Sequence, residues 1–351
     1  MSNEKITGRC AWLGQNMVDD TVWQHHMDDE ELAEIDAALT TALDLKVNWK
    51  EIRKKHFPLN KLAEILKKAS EELEEGSGIF RLRGLNLEKY SDLELRTLWM
   101  GISSYVGSAC YQGHDGELMR RIRNEGGDVG KRHGQIKTNE KGEVFLSSHA
   151  RTLTSAELRF HTDRTDVVAL LCAGQAKTGG NSKLVSSVSV RNAMMERRPD
   201  LLELLDAPIW RSRLGEEEGG ENMPYPLPVF GYRDGKFTSH YSRTYIEAAQ
   251  LHEGVPKMSE AQWEAIDMLV ELADELSFEM RFVPGDIQFV NNHVIYHSRG
   301  AFEDDAASGY VRDLYRLWLT VPNSRSLPQD HEILWRNVEA GLPRGGIALA
   351  G

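Results

Sequence analysis

Six consecutive apolar residues, Val167-Val168-Ala169-Leu170-Leu171-Cys172, constrain the fold of this 351-residue chain more than any other stretch. A run this short, bounded by Asp166 and Gly174, fits a strand buried on both faces, because strand side chains alternate and here neither side can be wet. Such a strand needs neighbours within a sheet and a packing layer above and below it. Segments 79–84, 182–186, 278–282, 287–290 and 310–320 read as those neighbours, separated by turns such as Thr178-Gly179-Gly180-Asn181 and Pro284-Gly285-Asp286. The packing layers come from helices. Leu62, Leu66, Ala69 and Leu73 recur at helical spacing up to about Glu75, and Asp28 to Glu31 open a helix carrying Leu32, Ile35, Ala38 and Leu39. Ser91 with Glu94 and Ser259 with Gln262 are capping-box patterns that start two more.

Many short strands with helices mostly before them point to a mixed α/β chain: a double-stranded β-helix (jelly-roll) core with flanking helices. The expected divisions are an N-terminal helical extension packed on the core (1–75), the jelly-roll domain (76–325), and a polar, loosely held C-terminal tail (326–351) ending in Arg344-Gly345-Gly346. Between 110 and 146 the texture turns to Gly, Arg, Asn and Lys, including Arg120, Arg121, Arg123, Lys131 and Arg132. That reads as a solvated loop or irregular hairpin, with Tyr111-Gln112 as a candidate pocket edge. The Gly/Pro-rich stretch 215–228 reads as a lid or as disorder.

Charge and cysteine usage exclude some partners. A net charge of -12 argues against wholesale binding of nucleic acid or an anionic membrane. No window approaches the apolar length of a membrane span, and the start, Met-Ser-Asn-Glu-Lys, is not signal-like. Three cysteines without a CxxC fit a reducing compartment, so a cytoplasmic location is expected. The sequence does not specify oligomeric state, and a homo-oligomer is compatible with it. No GxGxxG follows a strand and no phosphate-loop motif occurs, which lowers the case for nucleotide chemistry.

The chemistry concentrates at Phe160-His161-Thr162-Asp163, with a distant Tyr296-His297-Ser298-Arg299. A histidine and a carboxylate two apart on a strand point to the same side. With His297 they make a two-histidine, one-carboxylate face that leaves the opposite positions of a divalent metal open. His26-Met27-Asp28 is the same triplet in a polar stretch with no core strand, so context separates the two. In the last strand Arg312, Leu314, Arg316 and Trp318 share one face. Two guanidinium groups there are costly to bury unpaired and seek carboxylates. Asp286 or Asp313 would be the internal answer; an anionic ligand is the alternative.

At this point the chain resembles the TauD/TfdA-type branch of the Fe(II)/2-oxoglutarate-dependent dioxygenases. The likeness is carried by IFRLRGL at 79–85, FHTD at 160–163, GGNS at 179–182, VPGD at 283–286, NNHVIYHSR at 291–299 and RDLYRLWL at 312–319. The resemblance implies that His161, Asp163 and His297 bind Fe(II), with His293 a structural neighbour of the last. His293, four residues before His297, competes for that ligand role, and His297 is preferred because the family's ligand precedes the Ser-Arg pair. The resemblance also implies that Arg312, assisted by the Ser182 hydroxyl, holds the distal carboxylate of 2-oxoglutarate. Arg316 then falls where relatives hold an anionic group of a small-molecule substrate. The implied reaction consumes 2-oxoglutarate and O2, releases succinate and CO2, and hydroxylates an unactivated C–H bond. Asp163 favours that outcome, since halogenating relatives carry a small residue there. Gln112, Tyr241 and Arg243 are further candidate substrate contacts. The competing readings are a zinc-dependent hydrolase, because the same ligands serve zinc, and a non-catalytic jelly-roll binding protein with a vestigial metal site.

Overall fold

The computed structural model describes residues 4–113, 115–126, 129, 136–138, 144–146, 148–214 and 224–348. In chain order its principal strands are β1 (Gln24–His26), β2 (Ile79–Arg83), β3 (Ser108–Cys110), β4 (Met119–Ile122), β5 (Leu158–His161) and β6 (Val167–Gly174). They continue with β7 (Ser182–Ser186), β8 (Phe278–Met280), β9 (Ile287–Asn291), β10 (Ile295–Arg299) and β11 (Asp313–Thr320). A seven-stranded sheet runs β1-β2-β9-β6-β11-β3, with β4 also paired to β11. A four-stranded sheet runs β8-β7-β10-β5. β1 lies parallel to β2, and the other pairings in both sheets are antiparallel. The chain is therefore a mixed α/β fold.

The apolar run falls on β6, in the middle of the larger sheet, and is buried on both faces as its composition requires. One face contributes Val168, Cys172, Val290, Leu314 and Trp318 to a core shared with Phe160, Leu184, Ile295 and Tyr296 of the smaller sheet. The other face contributes Val167, Ala169, Leu171, Phe289, Leu317 and Leu319 to a second core under the N-terminal helices. Those helices are α1 (Asp29–Asp44), α2 (Lys61–Glu75) and α3 (Asp92–Ser103); capping boxes start α1 at Asp28 and α3 at Ser91. A fourth helix, Glu260–Leu276, has its own box at Ser259 and Gln262.

Several expectations need correction. Residues 119–122 are not solvated loop: Arg120 and Ile122 of β4 lie across from Arg316 and Leu314 of β11, inside the sheet. The N-terminal segment is more than a helical extension, since β1 joins the sheet and Trp12 and Trp23 enter the main core. Helices Ser187–Arg197 and Pro199–Asp206 follow β7 directly. The first escapes a periodicity reading because Val188, Val190, Ala193 and Met194 are buried around it, leaving no polar stripe; the second does bury a stripe, Leu201, Leu202 and Leu205, but over only eight residues. The tail is not loose: Leu327, Leu334, Trp335 and Val338 bury with Tyr225 and Leu227, and Arg344 is 2% exposed. Lys131, Arg132 and most of the stretch read as a lid (215–223) lie outside the described residues. Tyr225–Leu227 beyond it pairs with Ile209–Arg211. No described helix is long and apolar enough to cross a membrane.

Candidate metal centre

His161 ends β5 and stands directly opposite His297 of β10 in the antiparallel register, which brings the two rings to 4.3 Å between centroids. Asp163 is not on the strand. It reaches the same side from the turn after it, where its N–H donates to Asn292 Oδ1 at 2.9 Å and its carbonyl accepts from Thr165 N–H at 2.9 Å. The expected common face is thus built by a strand end plus a turn rather than by strict alternation. Asp163 Oδ1 lies 3.8 Å from His161 Nε2, and its Oδ2 lies 3.7 Å from His297 Nε2. Among the described residues these three form the one group of three or more His, Cys, Asp or Glu side chains with ligand atoms mutually within 4.8 Å. His26 and Asp28 are absent from it. His26 sits on the exposed edge strand β1, and Asp28 caps α1.

Electrostatics prepare these three side chains for a cation. Burial pushes His297 down to about 3, helped by neighbouring His161, and burial likewise lowers His161. Burial alone would raise the Asp163 carboxyl, but Arg316 and the two histidines outweigh it and hold it below the carboxylate range. Two neutral imidazoles and one carboxylate are the protonation states a divalent cation needs. His161 Nδ1 lies 2.9 Å from the Arg159 carbonyl, an N–H donation that turns Nε2 toward Asp163. Asp163 Oδ2 is buried without a hydrogen-bond partner. An orphaned buried carboxylate oxygen between two imidazoles is suited to receive a cation.

The arginines behave differently from one another. Asp286 pairs with Arg81 and Arg83, and Asp313 pairs with Arg121 and Arg123, so neither neutralises Arg316 of β11 or Arg312 just before it. Arg316 Nε donates to Gln112 Oε1 at 2.7 Å, and Arg316 Nη1 approaches Asp163 Oδ1 at 3.6 Å. Arg312 is 6% exposed and lies over the Phe302 ring at 5.4 Å. No described carboxylate lies within salt-bridge distance of its guanidinium, and burial pushes it down to about 10. Glycine makes room for it: Gly180 has φ +71°, and a Cβ there would sit 3.2 Å from Arg312 Cδ.

A small cavity of about 50 Å³ joins these groups, lined by His161, Asp163 and His297, by Ser182, Arg312 and Arg316, and by apolar Leu158, Val168, Leu184 and Leu314. Arg312 and Leu314 also line an adjoining pocket of about 260 Å³ under Gly179 and Gly180. A wider depression of about 920 Å³ lies elsewhere, and its Lys5–Glu196 and Arg197–Glu275 pairs cancel their own charge. Of the other predicted contacts, Gln112 is buried behind Arg316 and touches it rather than the cavity. The structure does not bring Tyr241 or Arg243 to the cavity. Tyr241 is fully buried, with its ring 5.4 Å from Tyr296, while Arg243 pairs with Glu247 and Asp267. His293 bonds Asp166 and Thr238 and stays structural. Sequence reasoning misses two buried arginines: Arg299, which donates to the Thr152 and Ala156 carbonyls, and Arg120, opposite Arg316. Arg299 stands in the HSR triplet, where it could have been found; for Arg120 the only signal is the arginine-rich composition.

A family model described as "Taurine catabolism dioxygenase TauD, TfdA family" matches residues 40–318. FR-33289 synthase of Streptomyces rubellomurinus is 29% identical over 92% of this chain and 92% of its own length. A taurine hydroxylase-like protein, SAT17, of Stachybotrys chartarum is 30% identical over 95% of this chain and 82% of its own. Among solved structures, asparagine oxygenase with Fe(II), 2S,3S-3-hydroxyasparagine and succinate superposes with a TM-score of 0.65 at 16% identity, covering 92% of this chain and 100% of that one. The non-haem iron oxygenase OrfP with Fe and α-ketoglutaric acid superposes with a TM-score of 0.58 at 17% identity, covering 85% and 93%.

Proposed function

This chain belongs to the TauD, TfdA family of dioxygenases, and from that premise we propose that His161, Asp163 and His297 hold Fe(II) while Arg312 and Ser182 hold 2-oxoglutarate. The enzyme is an Fe(II)- and 2-oxoglutarate-dependent dioxygenase acting on a small molecule. We read its two sheets as a double-stranded β-helix, with 1–75 packed on a 76–325 catalytic domain. When bound, iron with 2-oxoglutarate and O2 supplies oxidative decarboxylation to succinate and CO2 and an oxygen atom for the hydroxylated C–H bond.

The chain's own groups do the rest. Neutral His161 and His297 and ionised Asp163 present a ready ligand face, so no proton need leave before metal binds. Arg312 offers a dry guanidinium to the distal carboxylate, where a charge-assisted pair is strongest. Ser182, lining the same cavity, adds a hydroxyl donor. Arg316 faces the metal side with Gln112 fixing its Nε, leaving the far edge of its fork for an anionic group of the substrate. Apolar Leu158, Leu184 and Leu314 exclude water from the reacting bond.

The observation that carries this reading is the buried Arg312 without a carboxylate partner, beside a three-ligand cluster already in its metal-binding protonation states. Anaerobic titration of 2-oxoglutarate into the Fe(II)-loaded protein tests it. Loss of a charged hydrogen-bond pair costs about 1.5–3 kcal/mol, so Arg312→Gln is expected to weaken binding roughly ten- to hundredfold, with metal affinity kept. Unchanged 2-oxoglutarate affinity in that variant would sink the assignment.

A further inference from the structure

Arg344-Gly345-Gly346-Ile347 lies beyond the last residue matched by the family model, 318, yet it is hydrogen-bonded to the backbone beside Asp163 and beside Gln112. Gly346 N–H donates to the Arg164 carbonyl at 2.7 Å, one residue after Asp163. Ile347 N–H donates to the Tyr111 carbonyl at 2.9 Å, one residue before Gln112. Gln112 in turn accepts from Arg316 Nε and donates to the Arg316 carbonyl, and Arg316 faces Asp163. The tail therefore grips the backbone just after Asp163 and the backbone just before Gln112, which reaches the same carboxylate through Arg316.

Its own seat is tightly made. Arg344 is buried, donates through Nε to Asp166 Oδ1 at 2.7 Å, and takes its backbone anchor from Thr320 Oγ1 at 3.2 Å. Gly345 and Gly346 have φ of +68° and +61°. A Cβ on Gly346 would stand 2.6 Å from Cys110 Cβ and 2.9 Å from the Tyr111 carbonyl oxygen, and one on Gly345 would stand 2.8 Å from the Arg164 carbonyl oxygen. Both the left-handed backbone and the lack of a side chain are required for the contact.

We propose that residues 344–347 are a positioning strap that holds the Asp163 turn and the Gln112–Arg316 pair in register with the two histidines. The proposal rests on Asp163 being a metal ligand. The strap is not catalytic; it fixes where the carboxylate sits, as outer partners of metal ligands do.

Co(II) titration of the full-length protein, followed by its visible absorption, tests it alongside thermal unfolding of the metal-free form. Gly346→Ala and, without any backbone strain, Arg344→Gln are expected to weaken Co(II) binding by about 10–100-fold, the range typical of lost outer partners. Val338→Ala, in the tail's apolar cluster and with its carbonyl bonded to Leu327 rather than to the strap, is expected to lower the unfolding temperature while leaving Co(II) affinity unchanged. Native Co(II) affinity in both strap variants would overturn the strap alone. An equal loss of affinity in Val338→Ala at matched unfolding temperature would reduce the effect to general destabilisation and overturn it too. Failure of the unmutated protein to bind Co(II) would instead strike the metal-site reading on which it rests.

Discussion

Asp163 carries opposing demands. It must stay ionised at 7% exposure, and Arg316 is the largest influence holding it so against burial. Removing the carboxylate leaves Arg316 facing two imidazoles with no counter-charge, which should deter a cation more than the loss of one ligand alone. Asp163→Ala is expected to abolish measurable Co(II) binding, whereas Arg316→Met should retain it and lose affinity for substrate; isothermal titration separates the two. A variant lacking Asp163 that still bound metal at native affinity would remove it from the ligand set. His293 gives a pH prediction. Burial pushes it down to about 4, against an ordinary value near 6.5, with Asp166 acting in the other direction. The folded state then binds fewer protons between those values, so stability is full above about 6.5 and falls as pH drops toward 4. His240, also lowered by burial, adds to the same slope. His293→Gln should flatten the dependence of unfolding temperature on pH across that window; an unchanged slope would mean other groups set it.

At the scale of elements, Thr178–Gly179 is a short strand paired with Phe302–Glu303 rather than the expected turn, and Gly180-Asn181 after it decides where β7 begins and how far the Arg312 side chain can extend. Gly180→Ala strains a φ of +71° and crowds Arg312 Cδ. It is expected to weaken 2-oxoglutarate binding several-fold while Co(II) binding stays near native, and a parallel loss of both would place the damage elsewhere. Ser259→Ala removes the N-terminal cap of the Glu260–Leu276 helix, far from the site, and should cost about 1 kcal/mol in urea unfolding without touching either affinity. Ser259 and Gln262 sit three residues apart, so a local pattern in the chain reveals the cap. The proposed set of His161, Asp163, His297 and Arg312 is assembled from separate motifs through the family resemblance, whereas the β6 run and the Ser91 capping box are legible in the sequence itself for the same local reason. The pairing of Met119–Ile122 with Leu314–Leu317 is not, because it joins segments nearly two hundred residues apart and leaves no periodicity in either. Gln112 reads from the sequence as a pocket edge, yet it serves as a brace for Arg316, a role that only the fold discloses.

Across the whole molecule, charge is distributed in opposition. The chain carries a net charge of -12, yet Arg120, Arg299, Arg312 and Arg316 are all buried around the metal face, with Asp163 inside and Glu117 bonded to Arg120 at 2.6 Å. Asp115 and Asp304 act on Arg120 and Arg312 from further off, yet burial still lowers Arg312 to about 10 and Arg299, beside it, to about 9, so this interior costs stability until anions arrive. A divalent cation alone relieves the strain at Asp163 but adds positive charge to that interior. A dianionic 2-oxoglutarate held by Arg312 and Ser182 would offset it and would also bring negative charge to the ion. Metal and 2-oxoglutarate should therefore help each other bind, and any ligand that binds only the folded state stabilises it, by about 2.7 kcal/mol at a hundredfold excess over Kd. Under Mn(II), which avoids oxidation during the scan, the rise in unfolding temperature with both ligands is expected to exceed the sum of the separate rises. In Arg312→Gln the metal contribution should persist and the excess should vanish. Strictly additive shifts in the unmutated protein, or an excess that survives in Arg312→Gln, would show that the buried arginines do not couple the two ligands.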